Sequence, residues 1–186
     1  MKCRKQRKGD KHKMLQHGNI QIRPAEIADA KQLTAWWNDG LVMAHAGFPN
    51  GLGTTEEKVI AGLRSDRLVI VEGDRLIGEC CYRPADGAAA EIGIKICETD
   101  CQNRGVGRLV LSMLISWLFD QGYRKIILDT NLTNRRAQHV YESLGFRKLR
   151  TNIDSWTDQL GQLQSSVDYE LMEPDFVDYR KTGTKR

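Results

Sequence analysis

The sequence predicts a mixed α/β fold, an α+β arrangement in which a central mixed sheet of six to seven strands is flanked by about four helices. Three observations carry this expectation. Strand-like runs and helically periodic runs follow one another in the order β-α-α-β-β-β-α-β-α-β-β. A Gly73-Asp74 step joins two strand-like runs, as a tight hairpin requires. The hexapeptide Gln102-Asn103-Arg104-Gly105-Val106-Gly107 stands between a strand-like run, Glu91 to Glu98, and a helix-like run, Arg108 to Asp120.

Taken in order, residues 1–18 read as a basic, disordered tail. Ile20 to Arg23 alternates and then meets Pro24, which suits a first strand that hands over to a helix start. Ala25 to Trp37 places Ile27, Ala30, Leu33, Thr34 and Trp37 near one helical face, and Asn38-Asp39-Gly40 breaks it. His45 to Gly53 holds three glycines and a proline and reads as a loop. Thr54-Thr55-Glu56-Glu57 has the acidic first turn of a helix that runs to about Ser65. Arg67 to Glu72 and Arg75 to Arg83 form the hairpin. Pro84 to Gly87 is a turn, and Ala88 to Glu98 is the next strand. After the hexapeptide, Leu111, Leu114, Ile115 and Leu118 repeat at helical spacing until Gly122. Arg124 to Thr130 is a strand, Asn134 to Leu144 a helix stopped by Gly145, and Phe146 to about Ile153 with Val167 to Met172 completes the sheet.

The composition narrows the class of protein. A chain of 186 residues with 40% hydrophobic and 28% charged content suits one soluble domain, placed at 19–177. No apolar run approaches the ~20 residues of a membrane helix, and the basic start is not followed by a signal-peptide core, so a cytoplasmic protein without a membrane partner is expected. The net charge of +4 is uneven: residues 1–18 hold seven Lys/Arg and one Asp, residues 178–186 four and one, and the body 17 against 22 Asp/Glu. Basic tails can contact nucleic acid, but a solvated extension is the preferred reading, so nucleic acid is not expected as a partner. An acidic body is compatible with a cationic acceptor. The five cysteines, Cys3, Cys80, Cys81, Cys97 and Cys101, fit no disulfide framework. Cys97 and Cys101 lack the second pair or the histidine that a tetrahedral metal site needs, so no metal is expected.

The hexapeptide has a chemical reading. The first turn of a helix carries amide N–H groups without partners and the positive end of the helix dipole, and glycines let an anion reach them. The guest suggested is a phosphate. The spacing Q-x-x-G-x-G is neither the dinucleotide-binding nor the P-loop pattern.

A second motif lies about 30 residues on: Asn134-Arg135-Arg136-Ala137-Gln138-His139-Val140-Tyr141-Glu142-Ser143-Leu144-Gly145-Phe146. Together the two motifs resemble the GNAT superfamily of N-acetyltransferases, over about residues 19–172. The look is nearer to bacterial small-molecule and ribosomal-protein acetyltransferases than to histone enzymes. The resemblance implies a GNAT-like acyl-CoA N-acyltransferase fold and acetyl-CoA as co-substrate. It implies that the strand holding Ile94, Lys95, Ile96 and Cys97 splays from its neighbour and pairs with pantetheine. It places the pyrophosphate on the amides of Arg104 to Arg108, with charge from Arg104 and Arg108, inside a cofactor-binding set that includes Gln102, Asn103, Gly105, Val106, Gly107, Asn134 and Ala137. This chain departs from the family at Glu98-Thr99-Asp100-Cys101, where a proline and an aromatic residue are usual.

The implied reaction is direct attack of an amine on the thioester in a ternary complex. Tyr141 matches the family's general acid, and an ordinary tyrosine pKa near 10 keeps it protonated at neutral pH. For the general base the candidates are Asp129, at the end of its strand, then Glu91 and Glu79. The acceptor site is expected around Trp36, Asp39, His45 and Phe48, with Trp156 closing it from between the last two strands. An aromatic wall with a carboxylate would suit a small cationic amine. A protein N-terminus as acceptor and a non-catalytic acyl-CoA-binding domain are the alternatives. An exposed sheet edge near the last strands allows a homodimer.

Overall fold

A computed structural model describes residues 14–181. Eight strands form one sheet in the order β1-β2-β3-β4-β5-β6-β8-β7. Strand β1 is Leu15–His17, β2 Ile20–Pro24, β3 Arg67–Glu72, β4 Arg75–Ala85, β5 Ala89–Ile96, β6 Lys125–Asn131, β7 Arg147–Thr157 and β8 Leu163–Met172. The helices are α1 Ala30–Asn38, α2 Gly40–Met43, α3 Glu56–Ala61, α4 Val106–Asp120 and α5 Arg135–Ser143. Every neighbouring pair is antiparallel except β5 with β6.

Two apolar layers hold the sheet. On one face Val110, Leu111, Leu114, Ile115 and Leu118 of α4 pack on Ile70, Ile77, Ile92 and Ile126. On the other, Ala30, Leu33 and Trp36 of α1 and Val59 of α3 pack on Val69 and Val71. The first helix starts later than its sequence pattern suggests. Ile27–Asp29 forms a 3-10 turn, and Ile27 is 67% exposed. Asp29 is the cause: its carboxylate accepts both terminal nitrogens of Arg23 at 2.7 and 2.8 Å and the Glu26 amide at 2.8 Å. That knot fixes the chain before the helix begins; Trp36 is buried in the layer beneath and Trp37 packs against it half-buried.

The sheet has more strand than the sequence predicts. The supposed tail 1–18 contains β1, which pairs with β2 across Gly18 and Asn19, while residues 1–13 lie outside the described residues. At the other end Tyr179, in the stretch read as a basic tail, donates its amide to Ser112 Oγ of α4 at 3.1 Å, and residues 182–186 lie outside the description. Strand β7 ends four residues later than expected and β8 begins four residues earlier, and they pair out to Thr157↔Leu163. Their outer ends are polar and carry no alternating apolar signal, because β7 is an exposed sheet edge and its stability comes from backbone pairing. This edge is the one on which the homodimer expectation rests. The loop expected over His45 to Gly53 follows α2 and a 3-10 turn, Ala44–Ala46.

Among the described residues no helix is long and apolar enough to cross a membrane, and no group of His, Cys, Asp and Glu is placed to hold a metal ion. The described cysteines, Cys80, Cys81, Cys97 and Cys101, are free.

Candidate active site

The site arises where the sheet comes apart. Strands β5 and β6 pair in parallel only from Ala89↔Lys125 to Glu91↔Ile127. Beyond Glu91 they diverge, so Ile92 to Ile96 has β4 on one side and no strand on the other. A cavity of about 730 Å³ opens in the gap.

One wall is the hexapeptide. Asn103 and Gly105 both adopt left-handed backbone, with φ 59° and 81°, and fold the loop over the start of α4. Gly105 offers no side chain to cap the helix. The first-turn amides of Val106, Gly107 and Arg108 therefore lack the partners that a capping side chain would supply. Gln102 is a brace: its Nε2 donates to the Ile96 carbonyl at 2.9 Å, and its Oε1 accepts from Arg136 Nη1 of α5 at 2.8 Å. Arg108 lines the cavity, its guanidinium lies 4.8 Å above the Tyr179 ring, and its Nε is buried without a hydrogen-bond partner. The atypical turn Glu98 to Cys101 is held by Arg75, which bonds Asp100 at 2.7 Å and also pairs with Glu98.

Most of the expected donor-side residues meet here. Ile94, Lys95, Ile96, Gln102, Asn103, Gly105, Gly107, Arg108, Asn134 and Ala137 all line the cavity. Three do not. Cys97 is buried in the layer beneath α1, Val106 is buried in the α4 layer, and the Arg104 side chain turns away to Glu72 at 3.4 Å. Asn134 caps α5, its Oδ1 accepting the Ala137 amide at 3.2 Å.

Tyr141 projects from α5 into the same cavity. Its ring is fixed by Phe146 and Tyr169, each with centroids 5.8 Å away. Among the described residues its hydroxyl makes no hydrogen bond. Burial, and secondarily the charge of Asp129, pushes its pKa up to about 12. Asp129 also lines the cavity. Partial desolvation, then the charges of Asp168 directly opposite on β8 and of Glu91, raise its pKa above the ordinary aspartate range.

The other two carboxylates are placed differently. Glu91 is the last β5 residue paired to β6, lies outside the cavity lining and is engaged by Arg83. Glu79 does line the cavity but is bonded by Arg67 at 2.7 Å, Trp37 Nε1 at 3.0 Å and Lys95 at 3.2 Å. Burial alone would raise its pKa; the charges of Lys95 and Arg67 and the bonds from Trp37 and Arg67 outweigh it, so Glu79 is held below the ordinary range. A carboxylate held ionised in this way is a poor proton acceptor.

The acceptor end differs from expectation. His45 and Trp156 line the cavity, but Trp36, Asp39 and Phe48 do not. Trp36 is core and donates its Nε1 to Glu98 at 2.8 Å. Asp39 caps α2, accepting the Leu41 amide at 2.8 Å. The wall is instead Leu41, Val42, His45, Ala46 and Trp156. Trp156 packs against Gly47, where a Cβ would stand 2.4 Å from the indole. The tip of the β7–β8 hairpin is bonded onto the same loop. Gln159 donates its amide to the Gly47 carbonyl at 2.8 Å and its Nε2 to the Gly51 carbonyl at 2.9 Å, and its Oε1 accepts the Asn50 amide at 3.0 Å. Arg67 and Leu41 were not singled out from the sequence, because nothing local to them signals a partner so far along the chain; Gln159 lies in the segment Trp156 to Gly161 that was expected to close the pocket.

A splayed parallel pair, a glycine loop opening α4 and a tyrosine-bearing α5 define a GNAT acetyltransferase architecture. The family model for the acetyltransferase (GNAT) domain matches residues 19–147, and the chain belongs to that family. Among curated proteins, the chain is 30% identical over 129 residues to the mycothiol acetyltransferase of Rhodococcus opacus, a match covering 69% of this chain and 36% of that protein. The chain thus spans about a third of that relative's length. It is 29% identical over 153 residues to the L-amino acid N-acyltransferase MnaT of Escherichia coli, covering 77% and 84% of the two chains. Among solved structures, yncA of Salmonella typhimurium with its cofactor acetyl-CoA superposes with a TM-score of 0.68 at 21% identity, over 83% of this chain and 94% of that one.

Proposed function

We propose that the chain transfers the acetyl group of acetyl-CoA to the primary amine of a small molecule, by direct attack in a ternary complex. The observation that carries this reading is the unpartnered Tyr141 hydroxyl, held in a cavity between an open strand edge and a walled acceptor end. Bound acetyl-CoA supplies the acyl thioester, and the residues present fit it. The free edge of Ile94 to Ile96 offers backbone donors and acceptors to a pantetheine arm. The amides of Val106, Gly107 and Arg108, with the orphaned Arg108 Nε, suit a pyrophosphate.

Asp129 is the proposed base. Its raised pKa brings it nearer to the range in which it can take a proton from an ammonium, directly or through water. Tyr141 holds a proton at its Oη throughout the neutral range, and this is the proton a departing thiolate takes. A small acceptor is favoured over a protein N-terminus because Trp156 lines the cavity and its hairpin is bonded through Gln159 to the Gly47 and Gly51 carbonyls at that end. The relatives named for mycothiol and for L-amino acids act on small molecules, in line with this.

Thermal unfolding tests the donor. A ligand that binds only the folded state at 100 times its Kd stabilises it by about 2.7 kcal/mol, which for a chain of this size is a rise of roughly 5–10 °C in Tm. An unchanged Tm at millimolar acetyl-CoA contradicts the reading.

A further inference from the structure

We propose that Arg67 and Lys95 form an anion subsite at the acceptor end of the cleft, and that the amine acetylated by this chain carries a carboxylate. The inference rests on the transferase reading above and names its substrate class.

Its ground is a charge surplus built into the cavity wall. The charged lining is Arg67, Lys95, Arg108 and Arg136 against Glu79 and Asp129. Arg108 and Arg136 stand at the hexapeptide end, on α4 and α5. Arg67 and Lys95 stand on the opposite face of the sheet. Glu79 pairs in register with Lys95 and Val69, and Val69 packs beneath α1 and α3. Side chains alternate along a strand, so this trio cannot serve the start of α4, which packs on the other face.

Two cations share one carboxylate there. Glu79 lies beneath with its side chain 4% exposed, while Arg67 and Lys95 are each 32% exposed and face the void. Arg67 binds Glu79 through Nη1 alone; its Nε and Nη2 make no hydrogen bond among the described residues. Its guanidinium is stacked 4.7 Å from the Trp37 ring, so the free edge of the fork has a fixed direction. Lys95 uses its ammonium only for Glu79, which leaves it donors to spare. A net positive charge in a partly enclosed site is unfavourable without a partner, and a planar, pre-oriented fork matches a carboxylate.

The same cavity holds Asp129, the complement of an ammonium. An amine that also carries a carboxylate has a complement for each group in the lining of this one cavity. This replaces the cationic acceptor expected from the sequence, whose aromatic wall with Trp36 and Asp39 does not form.

Release of free thiol from acetyl-CoA, measured with matched acceptors, tests the subsite. The pairs are leucine with isoamylamine and phenylalanine with phenethylamine, which differ only in the carboxylate. The wild-type chain is expected to prefer the amino acid in kcat/KM by about tenfold to a hundredfold, the worth of one charge-assisted hydrogen bond. Arg67→Gln is expected to remove most of that preference through KM, with the Tm response to acetyl-CoA retained. Arg67→Lys, which keeps the charge but loses the fork, restores part of it. If Arg67→Gln fails to fold, Lys95→Gln is expected to remove the same preference. Equal or better turnover of the decarboxylated amines by the wild-type chain overturns the inference and leaves the transferase reading standing. A preference that neither Arg67→Gln nor Lys95→Gln alters overturns the assignment to these residues. Absence of thiol release with every amine removes the transferase reading, and the inference with it.

Discussion

Tyr141→Phe is expected to lower kcat by about a hundredfold to ten-thousandfold, the usual worth of a positioned general acid, while stability and acetyl-CoA binding stay near wild type. Both halves follow from the geometry. The ring is held by Phe146 and Tyr169, contacts that phenylalanine keeps. The hydroxyl makes no hydrogen bond among the described residues, so its removal breaks none in the folded chain. A tyrosine that only packed would leave kcat unchanged on this substitution, and that result contradicts the assignment. The pH profile of the wild-type chain adds a second reading. As the proposed acid Tyr141 acts only while protonated, and its pKa is pushed up to about 12, so its alkaline limb is expected above the ordinary tyrosine range. As the proposed base Asp129 acts only while ionised, and its raised pKa is expected to put its acid limb above that of a free aspartate. The two are coupled, since the Asp129 charge is one cause of the Tyr141 shift. Asp129→Asn is therefore expected to remove the acid limb and move the alkaline limb down.

Gly145→Ala is expected to be strongly destabilising. Gly145 ends α5 with φ 96°, and a Cβ there would stand 2.0 Å from the Asp175 carbonyl oxygen. The left-handed backbone costs a non-glycine residue roughly 1–2 kcal/mol. Forcing the backbone contact apart adds roughly 1–3 kcal/mol. The sum corresponds to a fall in Tm of about 5–15 °C. Gly122 separates the two terms, because it has the same φ of 96° and nothing within 4 Å of its Cβ position. Gly122→Ala is expected to show only the conformational part. Equal losses from the two variants, measured by thermal unfolding, contradict the packing account. The consequence reaches function because Phe146, which follows, donates its amide to the Tyr141 carbonyl at 3.1 Å. Loosening this end of α5 loosens the tyrosine.

The donor half of the site was legible in the sequence because its chemistry is local. The loop, the start of α4 and the cap of α5 are contiguous residues whose types announce their conformations: glycine for left-handed backbone, asparagine for a helix start. The other end of the cavity, where the acceptor is proposed to sit, is assembled across the sheet. Arg67 and Lys95 lie 12 and 16 residues from Glu79 and meet it only through strand register. Gln159 and Gly51 are 108 residues apart, and the polar hairpin that joins them has no periodic signal. The adjacent tryptophans show how small a phase error matters. Neighbours on a helix point about 100° apart, so Trp36 is buried and donates to Glu98 while Trp37 is half-buried and donates to Glu79. Strand β1 was hidden for a simpler reason: three residues of paired backbone sit directly after a run of lysines that reads as a solvated tail.

The most direct test of the central claim is the product itself. The purified chain is incubated with acetyl-CoA and a small primary amine, and the amine is weighed by mass spectrometry while free thiol is counted. The account predicts an amide-linked acetyl group on the amine, one thiol released per acetyl transferred, and loss of both together in Tyr141→Phe. Thiol release at the same rate without any amine, or an amine of unchanged mass across the panel, contradicts it.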